Sequence, residues 1–239
     1  MRPHPYVLFV PAVVFFIFSA LSCKKDKIVA SPAAIMLING MSDGTAVIPK
    51  FGPDTSTKYF SSMVRVNSRK YARFTSVAGV TPALVAPASD TNSRILSGNL
   101  NFVAGGIYSL FISGDVLHPD TMFIKENNLP YFTDSATAFR FVNLAGGGKS
   151  LTINLLNDSG NAQFPPLGYK QASDFKKYPD FYNTDTYTFE VRDQASGTLL
   201  TTYTEYYVPY LYFMYTTLVI SGSTDAGGYV NVFPVYTFY

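Results

Sequence analysis

Beyond residue 31 the chain is a succession of short apolar or alternating runs closed by Gly, Asn, Asp and Ser, and the 3.6-residue period of an amphipathic helix is nearly absent. In the first half this pattern predicts strands over 34–39, 45–51, 63–66, 71–76, 83–86, 94–102, 108–113 and 121–125. In the second it predicts strands over 137–143, 151–156, 187–192, 199–207, 211–221 and 229–238, with a short helix or turn around 173–178. Gly supplies positive φ at turns marked by Asp43-Gly44, Gly105-Gly106, Gly146-Gly147-Gly148, Ser159-Gly160, Ser196-Gly197 and Gly227-Gly228. Roughly seven strands in each half at this spacing indicate an all-β chain of antiparallel sandwiches.

The halves also resemble each other in order. Ala34-Ile-Met-Leu-Ile-Asn39 aligns with Ala138-Phe-Arg-Phe-Val-Asn143 at an offset of 104 residues, and Tyr71-Ala-Arg-Phe74 aligns with Phe175-Lys-Lys-Tyr178 at the same offset. Tyr108-Ser-Leu-Phe-Ile-Ser-Gly114 aligns with Thr216-Thr-Leu-Val-Ile-Ser-Gly222, and each half closes on another apolar stretch. Colinear matches of this kind point to a tandem duplication with repeats over 32–130 and 131–239. The boundary falls where Asn127-Asn128, Pro130 and Asp134-Ser135 interrupt any strand pattern.

The apolar run ahead of residue 31 is of another kind. Arg2 and the amino terminus form a short positive region, residues 7–18 form an apolar one, and Ala20-Leu21-Ser22 places small residues beside Cys23, the one cysteine of the chain. The run is shorter than the roughly 20 residues of a spanning helix, and Pro5 and Pro11 interrupt it. The segment resembles the signal peptide and lipobox of bacterial lipoproteins, with Ala20 and Leu21 in the reverse of the usual order. The resemblance implies removal of residues 1–22 and fatty acylation of Cys23, with palmitate-type chains as the membrane partner. Residues 23–31 then form a short polar tether. Two or more acyl chains hold a protein on a bilayer stably. The location implied is the cell envelope, anchored to the outer membrane on its periplasmic or surface-exposed face.

Composition narrows the rest. The mature chain carries 17 basic against 16 acidic residues, which leaves no electrostatic footprint for nucleic acid. Acylation of Cys23 leaves no thiol for a disulfide, so stability falls to apolar burial and sheet hydrogen bonds. With 18 Tyr, 20 Phe and only three Glu (Glu126, Glu190 and Glu205), the bias is toward sheet and away from solvated helix.

Ala138-Phe-Arg-Phe-Val-Asn143, Gly168-Tyr-Lys-Gln-Ala-Ser-Asp-Phe175 and Tyr215-Thr-Thr-Leu-Val-Ile-Ser-Gly222 resemble the opening strand, middle motif and late strand of the immunoglobulin-like repeats of bacterial envelope lipoproteins, a domain of unknown function. The first half departs in its middle, where Asn67-Ser-Arg-Lys-Tyr71 replaces the Gly-Tyr and Ser-Asp-Phe elements. The resemblance implies two tandem immunoglobulin-like sandwiches and an envelope location, and it brings no catalytic residues.

The residues themselves offer little for catalysis. With His4 in the signal peptide, His118 is the single histidine of the mature chain, so a Ser-His-Asp hydrolase would have to use it, and no Gly-x-Ser-x-Gly elbow occurs. Asp115, His118 and Asp120 share one loop and are a weak candidate metal set. Gly146-Gly-Gly-Lys149-Ser150 imitates the end of a phosphate-binding loop, but Asn143 stands where that motif requires its first Gly. Paired carboxylates for glycoside hydrolysis have no local signature among thirteen Asp and three Glu. No cofactor or metal is implied.

The best recognition candidate is the tyrosine-rich stretch 203–215, with Tyr206, Tyr207, Tyr210 and Tyr212 as its ligand surface and a strand covered on both faces as the competing reading. The expectation is a non-catalytic binding, adhesive or structural module with a protein or glycan ligand. The alternative is a glycan-binding accessory protein that stacks sugars on surface tyrosines.

Overall fold

The structure is a computed structural model that describes residues 31–52, 64–127, 129–133, 136–156, 158–179, 186–206 and 214–237. Cys23 and the rest of the amino-terminal segment lie outside these residues. All regular structure within them is strand.

The first half forms β1 (Ala33–Asn39), β2 (Val47–Phe51), β3 (Lys70–Ser76), β4 (Gly79–Pro87), β5 (Leu96–Phe102), β6 (Ile107–Gly114) and β7 (Pro119–Lys125). The second forms β8 (Thr137–Asn143), β9 (Leu151–Leu155), β10 (Asp158–Ala162), β11 (Gln171–Ala172), β12 (Lys176–Tyr178), β13 (Tyr187–Asp193), β14 (Leu199–Glu205), β15 (Tyr215–Gly222) and β16 (Val230–Thr237). Strands β1–β7 build a sandwich of sheets β3-β1-β6-β7 and β2-β4-β5. Strands β8–β16 build another, in which β11 and β12 both pair with β8 in the sheet that continues through β15 to β16, facing β10-β9-β13-β14.

The architecture is that of two β-sandwiches, each with the strand order given above. The sheets are antiparallel as expected apart from one parallel pair in each sandwich, β1 with β6 and β8 with β15. The chain between the partners is long enough to cross to the facing sheet and return, as a parallel neighbour requires.

Successive side chains on a strand point to opposite faces, and here both faces are covered. Ile35 and Leu37 of β1 enter the core of the first sandwich with Leu110, Ile112 and Phe102. Met36 and Ile38 point the other way, onto Val142, Leu144, Val219, Phe233 and Val235 of the second. Phe139 and Phe141 of β8 fill the second core with Phe189, Leu218 and Ile220. The β3-β1-β6-β7 sheet and the five-stranded sheet of β8, β11, β12, β15 and β16 therefore pack face to face, and the described residues from Ser31 onward form a stack of four sheets. Burial on both faces is why β1 and β8 read as continuous apolar runs without alternation.

Both sandwiches point the same way. Gly40, just past β1, lies against Leu144, just past β8, and Asp120 near the start of β7 reaches Lys170 just ahead of β11. One end of the stack thus carries the starts of β1 and β8, and the other carries the turns that follow them.

An asparagine closes the leading strand of each half in the same manner. Asn39 Nδ2 donates to the carbonyls of Val66 and Thr45 at 2.9 Å, and its Oδ1 accepts from the Met41 amide. Asn143 Nδ2 donates to Leu167 O at 3.0 Å and its Oδ1 accepts from Ala145. The next residues in space, Arg69 and Lys170, both have positive φ (58° and 57°), and both amides bond to the asparagine carbonyl.

Several sequence expectations are corrected. The region 173–178 is no helix: β12 occupies its end, and the break before it is a bulge in which Ser173 Oγ accepts from Phe141 N while Ser173 N donates to Phe141 O. Pairing places Phe74 opposite Ile35 and Lys176 opposite Phe139, so the aromatic residues aligned across the halves, Phe74 and Tyr178, are two positions out of register. The break after Ala172 is the cause. Strands β10 and β11 were not foreseen, and the described part of 63–66 contributes one bridge, Val66 to Val47.

Candidate functional site

The most heavily invested polar group lies in the seam between the sandwiches. Glu126, just beyond β7, meets Arg140 of β8 in a bidentate pair at 2.6 and 2.7 Å, with side chains 4% and 7% exposed. Ser109 Oγ donates to the same carboxylate at 2.6 Å, Arg140 Nε donates to Thr217 Oγ1, and the guanidinium lies 4.6 Å over the Phe175 ring. The carboxylate and guanidinium are turned to one another and to Ser109, Thr217 and Phe175, so this group joins the two sandwiches. Asp120, Lys170 and Tyr169 make a second, wetter contact across the seam: Lys170 Nζ is 2.8 Å and Tyr169 Oη 3.2 Å from the carboxylate. Burial pushes the Asp120 carboxyl up, and Lys170, the Thr121 amide and Tyr169 outweigh it, holding it below the usual aspartate value.

Of the candidate metal loop the structure keeps Asp115 and His118 together, with Nδ1 3.4 Å from Oδ1, and turns Asp120 away from them. Asp115 Oδ1 accepts from the amides of Leu117 and His118 and so shapes the β6–β7 turn, while Asp120 faces Lys170. His118 is 84% exposed at its side chain. Among the described residues, no group of three His, Cys, Asp or Glu is placed to hold a metal ion. Lys149 of the glycine-rich stretch pairs with Asp193 at 2.8 Å, and Gly146 bridges to Ser223. Glu205 is buried against the phenols of Tyr203 (2.6 Å) and Tyr236 (3.2 Å). Burial raises its carboxyl above the ordinary value, and the two phenols offset only part of that. Tyr236 is pushed up to about 12, by burial first and then by Glu205.

Of the tyrosines chosen from sequence, Tyr206 is 68% exposed just beyond β14, at the end of the stack where β1 begins. Tyr207, Tyr210 and Tyr212 lie outside the described residues. Met214 and Tyr215, the described end of the same stretch, are instead packed at the start of β15, where Tyr215 meets the rings of Phe132 and Phe175.

A different tyrosine stands out at the opposite end. The β15–β16 turn runs from Gly222 to Val230, with Ser223 Oγ bonded to Asp225 and Thr224 tied to Gly146 O by both its amide and its hydroxyl. Gly147 has φ +91°, and a Cβ there would lie 2.5 Å from Thr224 Oγ1, so only glycine admits this close approach. The turn so braced raises Tyr229, 71% exposed. On one side of it lies a depression of about 260 Å³ lined by Ser42, Arg69, Ser223 and Asn231. On the other lies one of about 500 Å³ lined by Lys149, Leu200, Thr224 and Asp225. An aromatic ridge with hydroxyl, amide, guanidinium and carboxylate groups on its flanks can stack on a flat apolar face and hydrogen-bond its rim. The sequence reading passed over Tyr229; its signal is an aromatic directly after Gly227-Gly228, where a turn must present it.

No family model and no characterised protein sequence matches the chain. Among solved structures, a family 41 carbohydrate-binding module from streptococcal virulence factors, described in the context of alpha-glucan recognition, is similar at 10% identity over 82% of this chain and 96% of its own, with a TM-score of 0.26. A candidate adhesin from Bacteroides ovatus is similar at 11% identity over 91% and 99%, with a TM-score of 0.27. At such TM-scores neither likeness carries weight for fold or function.

Proposed function

We propose that the chain is a non-catalytic, lipid-anchored binding module of the bacterial envelope, held at the outer membrane by acylated Cys23, that presents Tyr229 to a carbohydrate ligand. The observation that supports binding is the exposed Tyr229 ring between two polar-rimmed depressions. Their volumes sit at or near the lower part of the about 300–1,000 Å³ range of small-ligand sites. The support for anchoring is the sequence around Cys23, an apolar run too short to span, followed by Lys24-Lys25.

A sugar's apolar face stacks on tyrosine while its hydroxyls exchange hydrogen bonds with Arg69, Asn231 and Ser223 on one side and Asp225 on the other. A second reading, adhesion to a protein, is favoured by Leu117, 79% exposed on the equivalent turn of the first sandwich at the same end. A glycan array probed with the detergent-extracted protein separates them. Binding to glycans that disappears in Tyr229→Ala supports the carbohydrate reading; silence on the array, with Leu117-dependent capture of a surface protein, supports the other. Mass spectrometry of the mature amino terminus tests the anchor, and an unmodified Cys23 in native membranes would count against it.

A further inference from the structure

We propose that the first sandwich rests its strand-starting end on the lipid bilayer, with the turns at Val77, Val80 and Val103 in contact with the membrane interface. The proposal rests on acylation of Cys23. Ser31 accepts a hydrogen bond from the Gly105 amide, which places the point where the amino-terminal segment joins the body directly beside the β5–β6 turn. Between Cys23 and Ser31 lie seven residues, a reach of under about 30 Å even when fully extended. The end of the sandwich that holds Ser31 is therefore the end nearest the lipid.

That end is chemically unlike its opposite. The β3–β4 turn reads Val77-Ala-Gly-Val80 and the β5–β6 turn Val103-Ala-Gly-Gly106, with no charged residue in either. Val77, Val80 and Val103 are 69%, 70% and 52% exposed. Surface turns ordinarily carry Asp, Asn and Ser, whose side chains bond their own backbone. The turns at the far end of the same sandwich do so: Asp43 accepts from Thr45 and Val116, Asp90 from Asn92 and Ser93, and Asp115 from Leu117 and His118. The far end carries strongly hydrated charged side chains, Asp43, Asp90 and Asp115 beside the exposed Arg69, Lys70 and Arg94, whose desolvation opposes entry into the interface, and the uncharged valine turns carry no such cost. At the valine end the second sandwich adds exposed Tyr131 and Tyr206, whose amphipathic rings suit the headgroup region. This orientation leaves Tyr229 pointing away from the bilayer, toward a ligand.

The chain contains no tryptophan, so one introduced indole is a clean reporter. Full-length Val80→Trp and Leu117→Trp proteins are expressed with their lipid and reconstituted into vesicles of phosphatidylethanolamine and phosphatidylglycerol with brominated acyl chains. The expected result is a blue-shifted, quenched emission for Val80→Trp and an unshifted, unquenched one for Leu117→Trp. If the protein floats with the vesicles and Cys23 is acylated, yet Val80→Trp is quenched no more than Leu117→Trp, the resting orientation is wrong and the anchor stands. Failure to float, with Cys23 unmodified, overturns the anchor and this orientation together.

Discussion

The β6–β7 turn of the first sandwich and the β15–β16 turn of the second begin from the same joint and end in different chemistry. Gly114 and Gly222 both have positive φ, and a Cβ on either would fall about 2 Å from a carbonyl oxygen, 2.1 Å from His118 O and 1.9 Å from Tyr229 O. From there the first turn takes four residues to Pro119 and the second seven to Val230. The short turn spends its polar groups on itself, with Asp115 bonded to its own backbone, and leaves His118 in solvent. The longer one is braced against Gly146 and lifts Tyr229 between two depressions. The joint belongs to the fold, and the three extra residues are where a binding surface could be added without disturbing it.

The seam sets the scale for breaking this arrangement, because it is the element the two sandwiches share. Arg140→Met leaves the Glu126 carboxylate buried and unpaired, and we expect a loss of about 3–5 kcal/mol in urea denaturation. Replacing both partners with apolar residues of similar volume should restore most of it. An additive double variant would mean that the pair is not coupled.

The shared joint comes next. Gly114→Ala and Gly222→Ala should each cost about 1–3 kcal/mol, since both impose left-handed strain and a backbone clash. Chemical denaturation that finds one of them neutral would show that the two turns are not built alike.

The pH response is smaller and has two signs. Glu205 binds its proton more tightly folded than unfolded, so the stability this gives is complete below the ordinary glutamate value and is lost as pH rises through the folded value. Glu205→Gln should therefore gain on the native protein as pH rises above the ordinary glutamate value. Asp120 behaves oppositely: its lowered carboxyl contributes stability above the ordinary aspartate value and loses it as pH falls through the folded one. The deficit of Asp120→Asn should accordingly shrink on acidification. Thermal melts from neutral pH down to below the ordinary aspartate value give both slopes, the Glu205 one above the ordinary glutamate value and the Asp120 one below the ordinary aspartate value, and parallel curves for variant and native protein in these windows would refute the assignments.

How much of this was readable in the chain varies by residue. The strands, the turn glycines and the paired Asn39 and Asn143 stand out because a sheet's period and a turn's φ are local properties. The seam left one clue, Arg140 in the middle of Ala138-Phe-Arg-Phe-Val-Asn143: a cation in a doubly buried strand needs a partner, but its identity depends on how two sheets stack. The register of β11 and β12 was lost because the Ser173 bulge shifts it without changing composition. Tyr229 was overlooked in favour of the run around Tyr206 because density of tyrosines is visible in a sequence and exposure is not.

Tyr229→Ala should change stability least, by under about 0.5 kcal/mol, because the ring packs in no core. The most direct test of the account is therefore glycan-array binding by the native protein beside Tyr229→Ala and Tyr206→Ala. The account predicts that binding is lost with Tyr229 and kept without Tyr206; binding indifferent to Tyr229 would contradict it.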